Sequence, residues 1–157
     1  MPHLVQPMKI MDGGSHVTMH WYIKGDGSSL DLKDVVLLDP YTDLVPTMPK
    51  QQNLVVKQIW YELTGFSARL AFNSTTPWEF WTLSPGASLH HDWRFFGGIR
   101  DNSDFEGLGL DSDGKLLLST TGLSNTGASG AFVLWMERRN RLNPQPPVLG
   151  PEQATLG

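Results

Sequence analysis

Residues 54–72 read LVVKQIWYELTGFSARLAF, and this stretch decides the fold class. Residues 54–63 form the longest candidate strand, because apolar side chains recur there with the period of a half-buried strand. Thr64 and Gly65 are a turn signal, and residues 67–72 then resume the alternation. We therefore predict a β-hairpin across this stretch. The predicted buried face of its first strand consists of Val55, Ile59, Tyr61 and Leu63.

Similar short strand patterns recur on both sides of this stretch and are separated by turns rich in Gly, Pro, Ser and Asp. No long window keeps a helical period without interruption by Pro or Gly. The sequence therefore predicts an all-β protein, an antiparallel β-sandwich of about eight strands with a jelly-roll-like arrangement. The further predicted strands are 17–24, 35–38, 78–83, 89–96, 115–121 and 131–138.

The two ends of the chain differ in composition from the part between them. Residues 1–14 carry Pro2 and Pro7 and end at a Gly pair, and residues 141–157 are rich in Pro. Because Pro cannot donate to a sheet and favours extended conformers, we predict an N-terminal arm over 1–14 and a C-terminal arm over 141–157. The β-sandwich domain is predicted to span 15–140.

Charge and composition exclude several classes of function. The chain of 157 residues has a net charge of −4 and no cysteine. A mildly acidic chain lacks the basic surface that binds nucleic acid, and without cysteine it has no thiolate catalysis, disulfides or cysteine zinc sites. No apolar run approaches the ~20 residues that span a bilayer, and the first residues lack a signal-peptide pattern, so we expect neither membrane insertion nor secretion.

The motifs that suggest chemistry each fail a simple test. His90 and His91 would point to opposite faces of a strand, so they would not chelate one ion. Asp111 and Asp113 resemble the start of a calcium loop, but Lys115 follows, and the bidentate Glu at the twelfth position is replaced by glycine. No nucleophile-elbow motif occurs. We predict no metal, no cofactor and no enzymatic activity.

Aromatic residues are densest between residues 78 and 96, and three interpretations stay open. The rings could fill the core, form a contact between subunits, or stack on sugars. Strand alternation predicts Trp78 and Phe80 on one face and Trp81 on the other. The aromatic residues of this region are Trp78, Phe80, Trp81, Trp93, Phe95 and Phe96.

Three stretches resemble small β-sandwich virion proteins of tailed bacteriophages. They are residues 21–28 with 36–39 (WYIKGDGS and VLLD), residues 60–68 (WYELTGFSA) and residues 114–122 (GKLLLSTTG). The resemblance implies a structural component of the particle, most simply a head decoration or cement protein that binds and stabilises the lattice of the major capsid protein. The long C-terminal arm departs from the pattern, which leaves a neck or tail position open.

The resulting hypothesis is a non-enzymatic virion protein on the capsid surface, assembled in the host cytoplasm. Its expected partners are the major capsid protein or other virion proteins and further copies of itself, a trimer being one option. A carbohydrate- or receptor-binding module is the alternative, and exposed rings would favour it. The residues predicted to contact partners are Leu4, Val5, Trp78, Trp81, Val148 and Leu149.

Overall fold

A computed structural model describes residues 3–27, 30–44, 48–49, 52–74, 77–100 and 114–140. The described residues form strands and one short 3₁₀ helix, Arg94–Phe96, and the all-β sandwich is confirmed. The strands are β1 Leu4–Asp12, β2 His16–Lys24, β3 Val35–Leu38, β4 Gln52–Thr64, β5 Ser67–Phe72, β6 Trp78–Leu83, β7 Gly86–Asp92, β8 Leu116–Thr121 and β9 Ser129–Asn140.

The strands form two antiparallel sheets. The five-stranded sheet has the order β1-β2-β9-β4-β7, and the four-stranded sheet has the order β3-β8-β5-β6. Apart from β1, each sheet contains four strands, which is the strand number of a double-sheet jelly roll. The jelly-roll description itself stays a prediction.

The predicted hairpin across residues 54–72 is wrong. Strands β4 and β5 lie in different sheets, so the turn between them carries the chain across the core. Gly65 adopts a φ of 79°, and Phe66 is buried between the two strands. A crossing and a hairpin give the same alternation of apolar and polar side chains, and only the pairing partner distinguishes them.

The core lies between the sheets and is formed by the inward side chains of both. Trp21 on β2 and Phe132 on β9 are directly opposite in register, and their rings stack with centroids 5.2 Å apart. Leu38, Leu70 and Leu118 are also fully buried and come from the other sheet. An aromatic pair of this kind contributes about 0.5–1.5 kcal/mol beyond the area that it buries.

A β-bulge in β4 changes which of its residues face the core. Relative to β9, the register shifts between Val56 and Gln58, so Lys57 is an extra residue in the strand. Val56 and Ile59 therefore both belong to the core, whereas Val55 is buried on the opposite face of the sheet. The prediction that Val55 shares a face with Ile59 is wrong because one extra residue reverses the alternation.

The predicted N-terminal arm over 1–14 is also corrected, because Leu4–Asp12 forms β1, an edge strand paired with β2. His3 anchors the start of this strand. Its Nε2 donates to the Leu30 carbonyl oxygen at 2.8 Å, and its Nδ1 accepts from the Asp26 amide at 3.1 Å. Pro7 is compatible with a strand at this position because it lies at the edge of the sheet. The predicted C-terminal arm, 141–157, lies outside the described residues.

Candidate functional site

The two tryptophans predicted to contact partners pack against the core. Trp78 stacks on buried Phe72 with centroids 5.9 Å apart, and Trp81 meets the rings of His91 and Trp93 edge-on at 4.8 and 4.7 Å. Both tryptophans are partly buried. They contribute mainly to the packing at the margin of the core, and they do not form an exposed row of rings.

Trp78 and Phe80 share a face, as predicted, but a bulge at Phe80 explains why the prediction of Trp81 on the opposite face is wrong. Leu70 pairs with Trp81 but Ala71 pairs with Glu79, so Phe80 is the extra residue in β6. Phe80 and Trp81 consequently both pack against the core, although they are neighbours in sequence.

The other predicted contact residues divide into three groups. Leu4 is 47% exposed on the edge strand β1, as a contact residue should be. Val5 is partly buried against the core. Val148 and Leu149 lie outside the described residues, so their contact role stays a prediction.

The adjacent histidines of β7 lie on opposite faces of the sheet, as the sequence predicts. His90 stacks on Trp60 with centroids 4.8 Å apart, and its Nε2 lies 2.9 Å from Oε1 of Gln58. His91 lies on the core side, where it stacks on Tyr61 at 5.8 Å. In the described ranges no group of three or more His, Asp or Glu side chains could hold a metal ion. Asp111 and Asp113 are outside those ranges.

The most exposed aromatic side chains of the described residues are Phe95 and Phe96, which we call the phenylalanine knob. Phe95 is 92% exposed and Phe96 is 80% exposed. Their rings contact each other edge-to-face with centroids 5.4 Å apart. The two adjacent rings form an apolar protrusion. Because exposing apolar surface to water is unfavourable, such a protrusion indicates a surface that contacts another molecule.

The backbone of the knob is held from both ends. The guanidinium of Arg94 forms a bidentate salt bridge with Asp92, with Nη2 2.7 Å from Oδ2. The backbone amide of Arg94 also donates a hydrogen bond to Asp92. The hydrogen bonds from Arg94 lower the pKa of Asp92 to about 2. Gly97 and Gly98 follow with φ of 85° and 90°, values that favour glycine.

The knob is tied to the body of the five-stranded sheet through Lys57. The Nζ of this buried lysine donates to the Gly97 carbonyl oxygen at 2.9 Å and lies 3.3 Å from Oε2 of Glu137. Hydrogen bonds from Arg139 first, and then from Lys57, lower the pKa of Glu137 against the opposing effect of burial. The buried ammonium group of Lys57 is thus paired with Glu137. Its hydrogen bond to Gly97 connects the turn that carries the knob to the sheet.

A second surface lies further along the same sheet face. The outward side chains of β9 there are small, Ser129 and Ala131, and an open trough lies over them that is lined by residues of β2, β9, β4 and β7. Tyr22 and Glu62 are the direct cross-strand neighbours of Ala131 on its two sides. The trough comprises two adjoining grooves of about 300 and 220 Å³, which share Glu62 and Ala131.

Two half-exposed rings border this trough. Tyr22 is 38% exposed and Trp60 is 39% exposed. One signal in the sequence could have identified both residues: each is a large aromatic in the outward phase of a strand whose neighbours point to the core. The density of aromatic residues between 78 and 96 instead indicated residues that are mostly packed against the core. Only Phe95 and Phe96 of that group are highly exposed.

Comparison with known protein families finds no family model that matches this chain, and a search of curated proteins finds no match either. Among the described residues, no helix is long and apolar enough to cross a membrane.

Proposed function

We propose that this chain is a non-enzymatic structural component of a phage virion that binds other virion proteins, most specifically as a decoration protein on the lattice of the major capsid protein. The observation that carries the proposal is the phenylalanine knob, because its two rings are among the most exposed side chains described and its backbone is rigidly held. The resemblance of three stretches of the sequence to phage β-sandwich proteins supports the virion as the setting.

The knob suits a protein contact because hydrogen bonds hold its backbone turn in one conformation before any partner binds. Aromatic residues are enriched at the centres of protein interfaces, where a few of them contribute most of the binding free energy. Binding by a mobile loop also costs the free energy of ordering its backbone, and a turn clamped by Asp92 and Arg94 avoids much of that cost. Repetition over a symmetric shell then converts modest contacts into strong retention.

The test is co-sedimentation of the chain with assembled capsid shells of the phage that encodes it. We expect the double variant F95A/F96A to lose at least ten-fold in affinity, because it removes both exposed rings and no core side chain. Leu30→Ala is the matched control, since Leu30 is 90% exposed but lies far along the chain from the knob. It should bind like the wild type.

Equal binding by F95A/F96A and the wild type would contradict the role of the knob. No binding by the wild-type chain to shells, tails or necks would contradict the virion proposal as a whole. Localisation of the chain in an imaged particle separates a head position from a neck or tail position. Deletion of residues 141–157 should weaken retention while leaving the domain folded, because β9 ends at Asn140.

A further inference from the structure

We infer that the trough beside Ala131 is a binding site for a neutral, pyranose-containing glycan. This function is independent of the proposed protein contact, because among the described residues no residue of the knob lines the trough. The knob turn packs on Val55 and Val56, and the trough begins at Trp60 on the same strand, roughly 13 Å further along by the rise per residue.

The shape of the site comes from residues of the four neighbouring strands β2, β9, β4 and β7. Ser129 and Ala131 of β9 form a low floor, and Tyr22 and Glu62 rise on either side of Ala131. In the groove that Tyr22 borders, β2 and β4 are separated by two strand spacings, about 10 Å, which is wide enough for a flat ring. The groove that Trp60 borders lies beside it, over β9, β4 and β7. Further along β9, the next outward side chain after Ala131 is that of Val133, which lines the groove beside Trp60.

The aromatic side chains give the site its preference for sugar faces. One face of the Trp60 indole is stacked by His90 at an interplanar angle of 4°, which fixes the orientation of the ring. Trp60 borders the trough with its remaining exposed surface, and Tyr22 borders the other groove. Rigid rings that are apolar on the face and polar at the tip suit a ligand with apolar C–H faces and a rim of hydroxyls.

The polar groups of the trough select a neutral polyol over other ligands. Within the described part of the chain, the Glu62 carboxylate and the Tyr22 hydroxyl make no hydrogen bond or ion pair, so both are available to a ligand. Thr64, Ser88 and Ser129 add hydroxyl groups, and no cationic side chain lines either groove. Lys24 lies opposite Ser129 on β2, at the margin of the trough, but lines neither groove. Within the grooves the Glu62 carboxylate therefore disfavours phosphate and accepts hydrogen bonds from hydroxyls.

The backbone at one border of the trough is strained. Ser88 has a φ of 56°, and it lies in an irregularity of β7, where Leu63 pairs with Gly86 but Tyr61 pairs with Leu89. Bulges and left-handed residues other than glycine are concentrated beside binding sites, where they re-aim side chains. The position of Ser88 beside Trp60 is therefore consistent with a built site.

The experiment is an NMR titration of the full chain with four neutral hexasaccharides: cellohexaose, laminarihexaose, maltohexaose and chitohexaose. We expect at least one to shift the amide resonances of Gly130 and Ala131 and to leave those of Phe95 and Phe96 unchanged. The variants Trp60→Ala and Glu62→Gln should each weaken binding at least ten-fold. Ala131→Leu should abolish it by filling the trough, although every ring and carboxylate remains.

The controls keep the outcome clear if one variant is unstable. Phe95→Ala should bind the sugar like the wild type, and Glu62→Gln preserves the size and shape of the side chain. No shift with any hexasaccharide would overturn the inference, as would wild-type binding by Ala131→Leu. The peptide RLNPQPPVLGPEQATLG, which is residues 141–157, is titrated in parallel. If it shifts the trough resonances and the sugars do not, the trough is a protein-docking surface and the inference is wrong.

Discussion

Two groups of aromatic residues that are neighbours in the sequence have opposite environments in the structure. The first, from Trp78 to Trp93, packs against the core around Phe72 and His91. The second, Phe95 and Phe96, is almost wholly exposed on a clamped turn. The difference shows that aromatic density alone does not identify a contact surface. A bulge at Phe80 and a 3₁₀ turn at Arg94 decide which rings are inside.

The variant expected to have the largest effect on stability is Phe72→Ala, which tests whether the inner group supports the core. Phe72 is 1% exposed and supports the rings of both Trp78 and Phe80, so its removal leaves a cavity beneath them. We expect the free energy of unfolding to fall by about 3–5 kcal/mol, measured by urea denaturation. A loss below about 1 kcal/mol would mean that the inner group does not support the core.

The next test compares the loss of stability caused by alanine at Gly97 and at Gly98, the two glycines that follow the knob. A Cβ at Gly98 would lie 2.5 Å from Cγ1 of Val55 and 2.9 Å from the Val56 carbonyl oxygen, whereas a Cβ at Gly97 meets open space. Both positions have positive φ, so Gly97→Ala should cost about 1 kcal/mol through backbone strain alone. Gly98→Ala should cost about 2–4 kcal/mol because steric conflict is added.

Urea denaturation of these two variants side by side measures the steric part of the effect. Equal losses at the two positions would show that the turn does not pack on β4 as described.

A smaller effect on stability is expected from the exposed group. F95A/F96A should change the free energy of unfolding by no more than about 0.5 kcal/mol, since both side chains are surrounded by solvent. The same urea denaturation checks this value. If F95A/F96A destabilised the fold as strongly as Phe72→Ala, Phe95 and Phe96 would not be the exposed group described above.

The smallest expected effect is the titration of Asp92. Its pKa is lowered to about 2 by the hydrogen bonds from Arg94, below the ordinary value of 3.8. The contribution of the pair is therefore complete above about pH 3.8 and is lost as the pH falls through about 2. Carbon-13 NMR of the Asp92 carboxyl follows the titration directly. Arg94→Gln should return the midpoint toward 3.8, and an unchanged midpoint would show that Arg94 is not the cause.

Much of the strand pattern could be predicted from the sequence because period-2 alternation marks a half-buried strand directly. The predicted strands 35–38, 67–72 and 78–83 have the observed bounds. Pairing partners could not be predicted, since a hairpin and a crossing between sheets have the same alternation. The extra residues Lys57 and Phe80 could not be recognised either, because a bulge is defined by the register of two strands.

The site was less predictable than the fold. Leu4 is exposed and its contact role stays a prediction, whereas Trp78 and Trp81 are packed against the core. Tyr22 and Trp60 were overlooked because they lie on strands far apart in the sequence, and only the pairing of β2 and β4 with β9 brings them to one trough. Exposure at positions far apart in sequence depends on topology, which alternation does not contain.

The order of strands in the five-stranded sheet has a consequence for how the protein is made. β9 lies between β2 and β4, yet among the described strands it comes last along the chain. A ribosome releases β2 and β4 long before the strand that joins them. Until Asn140 has emerged, the growing polypeptide holds unpaired strand edges and an incomplete core, a state prone to aggregation. We therefore expect this domain to fold only after β9 has been synthesised, and chains interrupted before β9 to require a chaperone or be degraded.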